Sequence, residues 1–258
     1  MWTYLWQNFL IDSDIKKYIS DKIKKIYDDN QLECIIEIGP WKGAITKKIH
    51  NISSNFFVLE KDETMLNHLT EIIKKKDIIF GDVLNVDVHK ILAEKNISPQ
   101  KTLVIWNLPY YITSPIFRKF FANWEKDKNK QYFWWFFMVQ DEVWQKVQTE
   151  TKKKSFLWRL TNYAYNIYYR KTVPAKAFKP APKVKSCLVE FQKKQEIIDI
   201  NFNNLFEFLN LHSQFSRKTL WAITKILAKQ NKKKFQIPED LKSKRLEELS
   251  WENIQNII

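Results

Sequence analysis

Four short segments carry residue types that could do chemistry together. Asn107-Leu-Pro-Tyr-Tyr111 combines an amide side chain, a rigid proline turn and aromatic rings. The exocyclic nitrogen of adenine is a poor nucleophile because its lone pair is delocalised into the ring. The Asn107 side chain and a backbone carbonyl in the Leu108-Pro109 turn could accept its two N–H groups and aim the nitrogen at an electrophilic carbon. Tyr110 could stack on a base drawn out of its helix. In isolation these residues read as a proline turn with packed tyrosines. The other three segments change that. Glu37-Ile-Gly-Pro-Trp-Lys-Gly43 follows an apolar run and opens a helix, Glu60 ends the next apolar run, and Gly81-Asp82 follows the third. A loop with Gly39 and Gly43, a carboxylate able to accept both hydroxyls of a ribose and another able to meet an adenine amino group suit a nucleoside-bearing ligand.

Such residues need strand ends to hold them in register. Seven apolar, β-branched or aromatic runs read as strands: Cys34 to Ile38, Phe56 to Leu59, Ile78 to Phe80, Thr102 to Ile105, Phe133 to Val139, Ile167 to Tyr169 and Ser186 to Phe191. Asp62 to Lys75 and Pro115 to Trp124 between them show helical periodicity, the signature of βα units in a mainly parallel sheet. From about Asn201 the strand pattern stops, and Phe202 to Leu211, Ser216 to Lys229 and Pro238 to Leu249 read as three helices. The expected architecture is α/β: a Rossmann-like domain with a seven-stranded, mostly parallel sheet over residues 1–195, then a small all-α domain over 196–258.

The charge points to a polyanion. Lys and Arg number 43 against 29 Asp and Glu, a formal net charge of +14, which favours nucleic acid over an acidic small molecule. A lysine-rich proteome would give the same excess, so charge alone decides nothing. Cys34 and Cys187 sit in apolar runs without metal-ligand spacing and read as core residues. No run is long enough to span a membrane and no signal peptide is evident, so a cytoplasmic protein without a metal is expected.

With these segments in place, the chain resembles the KsgA family of small-subunit rRNA adenine dimethyltransferases, related to the Erm resistance methyltransferases. The likeness runs through Gln7-Asn-Phe-Leu-Ile-Asp12, the Glu37 to Gly43 loop, Glu60, Gly81-Asp82 and Asn107 to Tyr111. It continues in Val139-Gln-Asp-Glu-Val143, Arg159-Leu160, Ala177 to Ser186 and Arg217-Lys-Thr-Leu220. The resemblance implies transfer of methyl groups from S-adenosylmethionine to adenine N6, giving dimethyladenosine in rRNA of the immature small subunit, by a monomer. It implies cofactor contacts at Asn8, Leu10, Gly39, Glu60, Asp82 and Asn107, with Asn107, Leu108, Pro109 and Tyr110 at the target base and Phe178 as a second stacking ring. RNA phosphates would be met by Lys152, Lys153, Lys154, Arg159, Arg170, Lys171, Lys183, Lys185, Arg217 and Lys218, with binding that weakens steeply as salt rises. Three alternatives stay open: an Erm-like enzyme acting on large-subunit rRNA, a non-catalytic module that binds the ribosome or nucleic acid, and, more distantly, a nucleotide-dependent oxidoreductase.

The chain departs from that family in one systematic way. Trp6, Trp41, Trp106 and Trp158 stand where the family usually has glycine, and Trp144 adds a fifth instance. The chain holds 3 Gly and 11 Trp, where average usage gives about 18 Gly. Codons UGA read as glycine in the cell but written here as tryptophan would produce this pattern. The codons at 6, 41, 106 and 158 are then expected to be UGA, and peptide mass spectrometry of natively expressed protein to find glycine at 41 and 106. UGG codons, or tryptophan in those peptides, contradict the reading.

Overall fold

The computed structural model describes residues 8–106, 113–122, 133–151, 154–233 and 235–258. Strand β1 (Phe9–Leu10), helix α1 (Ser13–Asp29), β2 (Cys34–Ile38), α2 (Thr46–Ile49) and β3 (Asn55–Glu60) open the chain. They are followed by α3 (Leu66–Thr70), β4 (Ile78–Phe80), α4 (Val88–Glu94), β5 (Thr102–Trp106) and α5 (Thr113–Ala122). Next come β6 (Trp134–Gln140), α6 (Asp141–Val147), α7 (Phe156–Asn162), β7 (Tyr165–Val173), β8 (Phe178–Lys179) and β9 (Ser186–Lys193). Helices α8 (Phe202–Ser213), α9 (Leu220–Lys229) and α10 (Trp251–Gln255) end it.

All seven expected strands form one sheet in the order β4-β3-β2-β5-β6-β9-β7. β2 is parallel to both β3 and β5, β5 is parallel to β6, and β9 runs antiparallel to β6. Every residue of β2 and β5 is buried, as a parallel strand covered on both faces requires. α1 presents Ile15, Ile19, Ile23 and Ile26 to the core. Asp12 starts it by accepting the amides of Asp14 and Ile15 at 2.9 Å each. This 17-residue helix and the small sheet in which β1 pairs with β8 are not anticipated from the sequence patterns. Both cysteines are buried and free, and burial pushes each thiol up to about 12. Among the described residues no helix is long and apolar enough to cross a membrane.

Two expected helices are absent as such. Asp62 to Lys75 breaks into a 3₁₀ turn at Glu63–Met65, the short α3, and a second 3₁₀ turn at Lys75–Asp77. Pro238 to Leu249 forms two 3₁₀ turns, Glu239–Leu241 and Leu246–Glu248, and α9 starts at Leu220 rather than at Ser216.

The described residues group into two compact units, one drawn from the spans Met1–Ile116, Gln131–Trp144 and Ile167–Lys193, the other from Phe117–Lys130, Gln145–Asn166 and Lys194–Ile258. The chain passes from the first unit to the second after Lys193, and Gln145–Asn166 groups with the C-terminal helices. Arg159 explains that grouping. It is 1 % exposed, and its Nη2 donates to the carbonyls of Leu246 at 2.8 Å and Leu249 at 2.7 Å. The guanidinium carbon lies 5.6 Å from the ring centre of Trp158 and 5.4 Å from that of Trp251. Burial lowers its pKa to about 10. Arg159 is therefore an internal tie of this unit and not a phosphate contact, which corrects the reading from sequence.

Arg159→Ala leaves the Leu246 and Leu249 carbonyls without the guanidinium and opens a gap beside the two stacked indoles. A stability loss of about 2 to 4 kcal/mol is expected from urea unfolding, and an unchanged midpoint would show that the tie carries no stability.

Candidate active site

Strand order reverses at β2, whose neighbours β3 and β5 lead away in opposite directions. In such sheets the loops leaving the carboxyl ends part there and open a crevice. The first of these loops leaves β2 at Gly39, whose amide donates to the Leu59 carbonyl at 2.8 Å. Gly39, Trp41 and Gly43 have φ of 66°, 58° and 72°, and Gly43 closes the turn on the Pro40 carbonyl at 2.8 Å. A Cβ on Gly43 would come 2.2 Å from Cδ1 of Ile72, so another residue there would have to displace that side chain and also carry the strain of a left-handed backbone. Trp41 adopts the same left-handed conformation with a bulky side chain, which L-residues avoid. Its indole meets the Phe9 ring edge-on at 5.5 Å, so it lies between the loop and the chain's first strand.

Glu60 ends β3 and is 7 % exposed. One carboxylate oxygen accepts the amides of Lys61 at 2.8 Å and Asp62 at 2.9 Å, and the other accepts that of Trp41 at 3.1 Å. Burial raises its pKa, and the three amides oppose that shift. The second oxygen retains acceptor capacity for a ligand hydroxyl. At the end of β4 the Gly81 amide donates to the Glu60 carbonyl at 2.9 Å. Gly81 has φ of 153°, and a Cβ there would press on Val86 at 2.9 Å. Asp82 then accepts the Leu84 amide at 2.9 Å and pairs with the Lys61 ammonium at 2.8 Å. Both carboxylates picked out in the sequence thus stand at adjacent strand ends.

Two partners were missed in the sequence. Lys61, next to Glu60, is one. Thr46 is the other: its hydroxyl donates to the Glu37 carboxyl at 2.7 Å. Glu37 is 4 % exposed, and burial pushes its pKa up to about 8, against the Thr46 hydrogen bond and assisted by the charge of Glu60. It borders a cavity of about 20 Å³ also lined by Ile105, Trp106 and Phe136. Trp106 ends β5, 4 % exposed, stacked on Phe137 at 3.4 Å between ring centres.

The remaining expected residues divide. Asn8 is half-buried beside β1. Leu10 and Phe178 are paired across β1 and β8, and each is 3 % exposed within the main core cluster. A ring so enclosed has no open face for a base, so the stacking role implied for Phe178 is not available in this conformation. Asn107, Leu108, Pro109 and Tyr110, with Lys152, Lys153 and Trp6, lie outside the described residues. Arg170 is engaged by Glu190 at 2.7 Å, which also holds Lys22 at 3.0 Å. Lys154 lies over the Trp158 ring and Lys171 over that of Tyr18. Lys183, Lys185, Arg217 and Lys218 are exposed.

Glu37 gives the site a pH signature. Its folded pKa lies above the ordinary 4.5, so its contribution to stability is complete below about pH 4.5 and is lost as pH rises through about 8. Glu37→Gln is expected to flatten the fall in unfolding free energy across that window by up to about 1.4 kcal/mol per pH unit. Glu60, also shifted upward, leaves a smaller slope in the same direction. An identical slope in the variant would mean that Glu37 is ionised throughout.

The family model for ribosomal RNA adenine dimethylase matches residues 3–258. A ribosomal RNA small subunit methyltransferase A from Hydrogenobaculum is 32 % identical over 252 residues, 97 % of this chain and 89 % of that protein. The protein of that name from Listeria monocytogenes is 31 % identical over 227 residues, 84 % of this chain and 73 % of its own. Among solved structures, a dimethyladenosine transferase from Plasmodium falciparum has a TM-score of 0.67 at 18 % identity, covering 95 % of this chain and 94 % of that one. The 23S rRNA methyltransferase ErmE has a TM-score of 0.58 at 16 % identity, covering 96 % and 98 %. The sheet order, the two carboxylates at adjacent strand ends and a match along almost the whole sequence agree, and the chain belongs to the ribosomal RNA adenine dimethylase family.

Proposed function

We propose that this protein transfers methyl groups from S-adenosylmethionine to N6 of adenines in small-subunit rRNA, twice per base, acting as a monomer on immature subunits. The observation that carries the reading is the pair Glu60 and Asp82, set at the ends of adjacent strands beside the Gly39–Gly43 turn. Their chemistry fits the cofactor: a carboxylate with spare acceptor capacity suits a ribose diol, and Asp82 suits an adenine amino group. Asn8, Leu10, Gly39 and Asn107 complete the proposed cofactor contacts, Leu10 through its backbone because its side chain is buried. The cofactor, when bound, brings a methyl group already activated as a sulfonium.

The residues of the chain therefore have to bind, orient and exclude water; no strongly shifted acid or base is required. Asn107 and the Leu108-Pro109 turn would accept the N–H groups of the adenine and Tyr110 would stack on it. Lys152, Lys153, Lys154, Lys171, Lys183, Lys185, Arg217 and Lys218 remain the proposed phosphate contacts. We assign the catalytic role to the domain over residues 1–195 and a supporting RNA role to the helical domain over 196–258. Trp41 favours a second reading, a non-catalytic RNA-binding protein, because its indole lies on the loop that a cofactor must approach.

Calorimetry with S-adenosylmethionine and methylation of unmethylated small subunits, read as dimethyladenosine after nuclease digestion, separate the two. Trp41→Gly is expected to tighten cofactor binding at least roughly tenfold, about 1.4 kcal/mol. Glu60→Ala in that background should weaken it by about 10- to 100-fold. A folded Trp41→Gly protein that binds no cofactor would overturn the catalytic reading in favour of the second.

A further inference from the structure

Trp221 is an exposed indole set among cations. It lies in the first turn of α9 and is 42 % exposed, while Leu220, Ile223 and Leu227 of the same helix face inward. The Lys225 ammonium, one turn on, is 5.0 Å from its ring centre and that of Lys242 is 4.4 Å away. Backbone bonds fix this arrangement: the Trp221 amide donates to the Lys242 carbonyl at 3.1 Å and the Leu220 amide to that of Lys244 at 2.8 Å. Arg217 and Lys218, both exposed, lie just ahead of the helix. Of these cations only Lys242 has a carboxylate partner among the described residues, Glu239.

A single exposed indole is ordinary at a protein surface; the ammonium groups of Lys225 and Lys242 set over this one distinguish it, and cations so placed favour a polyanion. Folded acidic proteins could match the charge. A nucleic acid single strand matches both features, because each base offers a flat face and each linkage a phosphate. The two lysines, held weakly over the indole, can release the ring to a base and turn to its flanking phosphates.

We propose that the C-terminal unit carries a stacking site for one unpaired RNA nucleotide, with Trp221 under the base and Lys225, Lys242 and the Arg217-Lys218 pair on the neighbouring phosphates. The proposal rests on the RNA substrate assigned above, names a residue outside the methyl-transfer site, and makes this surface a reader of unpaired structure rather than of charge alone.

The test uses the full chain and two labelled RNAs, a hairpin with an unpaired loop and a blunt duplex of the same length, followed by fluorescence anisotropy at fixed salt. Trp221→Ala is expected to weaken hairpin binding roughly tenfold and duplex binding little, with Trp221→Tyr restoring most of the loss. Ultraviolet crosslinking of the unaltered protein should place a hairpin nucleotide on the peptide containing Trp221, a readout that does not depend on any variant folding. Equal losses on both RNAs, no loss, or crosslinks confined to other peptides would each overturn the stacking site while leaving the RNA substrate intact. Binding of polyglutamate that depends on Trp221, with RNA binding unaffected, would overturn it in favour of an acidic protein partner. Failure of the unaltered protein to bind either RNA would instead overturn the RNA substrate, and the stacking site with it.

Discussion

The end of β3 holds the site together. Leu59 and Glu60 receive the loops of both flanking strands on three acceptors: the Leu59 carbonyl takes Gly39, the Glu60 carbonyl takes Gly81, and the Glu60 carboxylate takes Trp41. These bonds fix where two glycine-bearing turns leave the sheet, and they do so with groups that are nearly inaccessible to water. A buried carboxylate is costly unless hydrogen-bonded, and Glu60 meets that cost with three backbone amides. The same amides orient its second oxygen towards the crevice loop. One side chain thus both braces the loops and offers the acceptor that a bound nucleoside would use. Glu37, two residues before Gly39 on the neighbouring strand, accepts instead from a hydroxyl, that of Thr46, and burial holds it neutral.

The tryptophans do not all stand in the same relation to this framework. Among the three of these that are described, Trp41 alone has a backbone suited to glycine, with φ of 58°. Trp106 is in regular strand geometry and Trp158 in a helix whose N-cap is Ser155. The indole of Trp158 donates to the Gln148 carbonyl at 3.0 Å and stacks on Trp251. Conformational strain therefore argues for glycine at 41 and is silent at 106 and 158, where the case rests on composition and family likeness. Strain of this kind costs on the order of 1–3 kcal/mol, which a folded domain can carry, so Trp41 obstructs the loop without having to unfold it.

Strands were legible because burial on both faces leaves an uninterrupted apolar run, as in Phe56 to Leu59, that few other structures need. Helices were less so. The Asp62 to Lys75 pattern has apolar residues at helical spacing, yet the amides of Ile72 and Ile73 both turn back to the Leu69 carbonyl, and the β-branched pair ends α3 early. Periodicity does not report that Ile72 must fit against Gly43. The Pro238 to Leu249 segment fails to be one helix for a different reason. Its carbonyls at Lys242, Lys244, Leu246 and Leu249 accept bonds from α9 and from Arg159, and a carbonyl engaged in that way is withdrawn from an α-helical ladder. The carboxylates at 60 and 82 could be found from the sequence because strand ends are predictable, whereas Thr46 and Lys61 could not, since their roles depend on side-chain direction.

Charge misled most where a cation had an internal task. Arg159 was grouped with surface lysines because sequence records that a residue is basic and not where its guanidinium goes. The planar group finds two carbonyls and two indoles in its own unit, a setting that uses geometry rather than net charge. Arg170 is likewise drawn to Glu190. Taking Arg159 off the proposed phosphate contacts leaves cations without that internal task, and in the C-terminal unit Lys225 and Lys242 lie over the Trp221 ring with Arg217 and Lys218 just ahead of its helix. An excess of positive charge says only that a polyanion is favoured; the arrangement of cations around Trp221 says what shape of polyanion is favoured. That distinction follows from stacking, which needs an unpaired base and which a rigid duplex cannot supply.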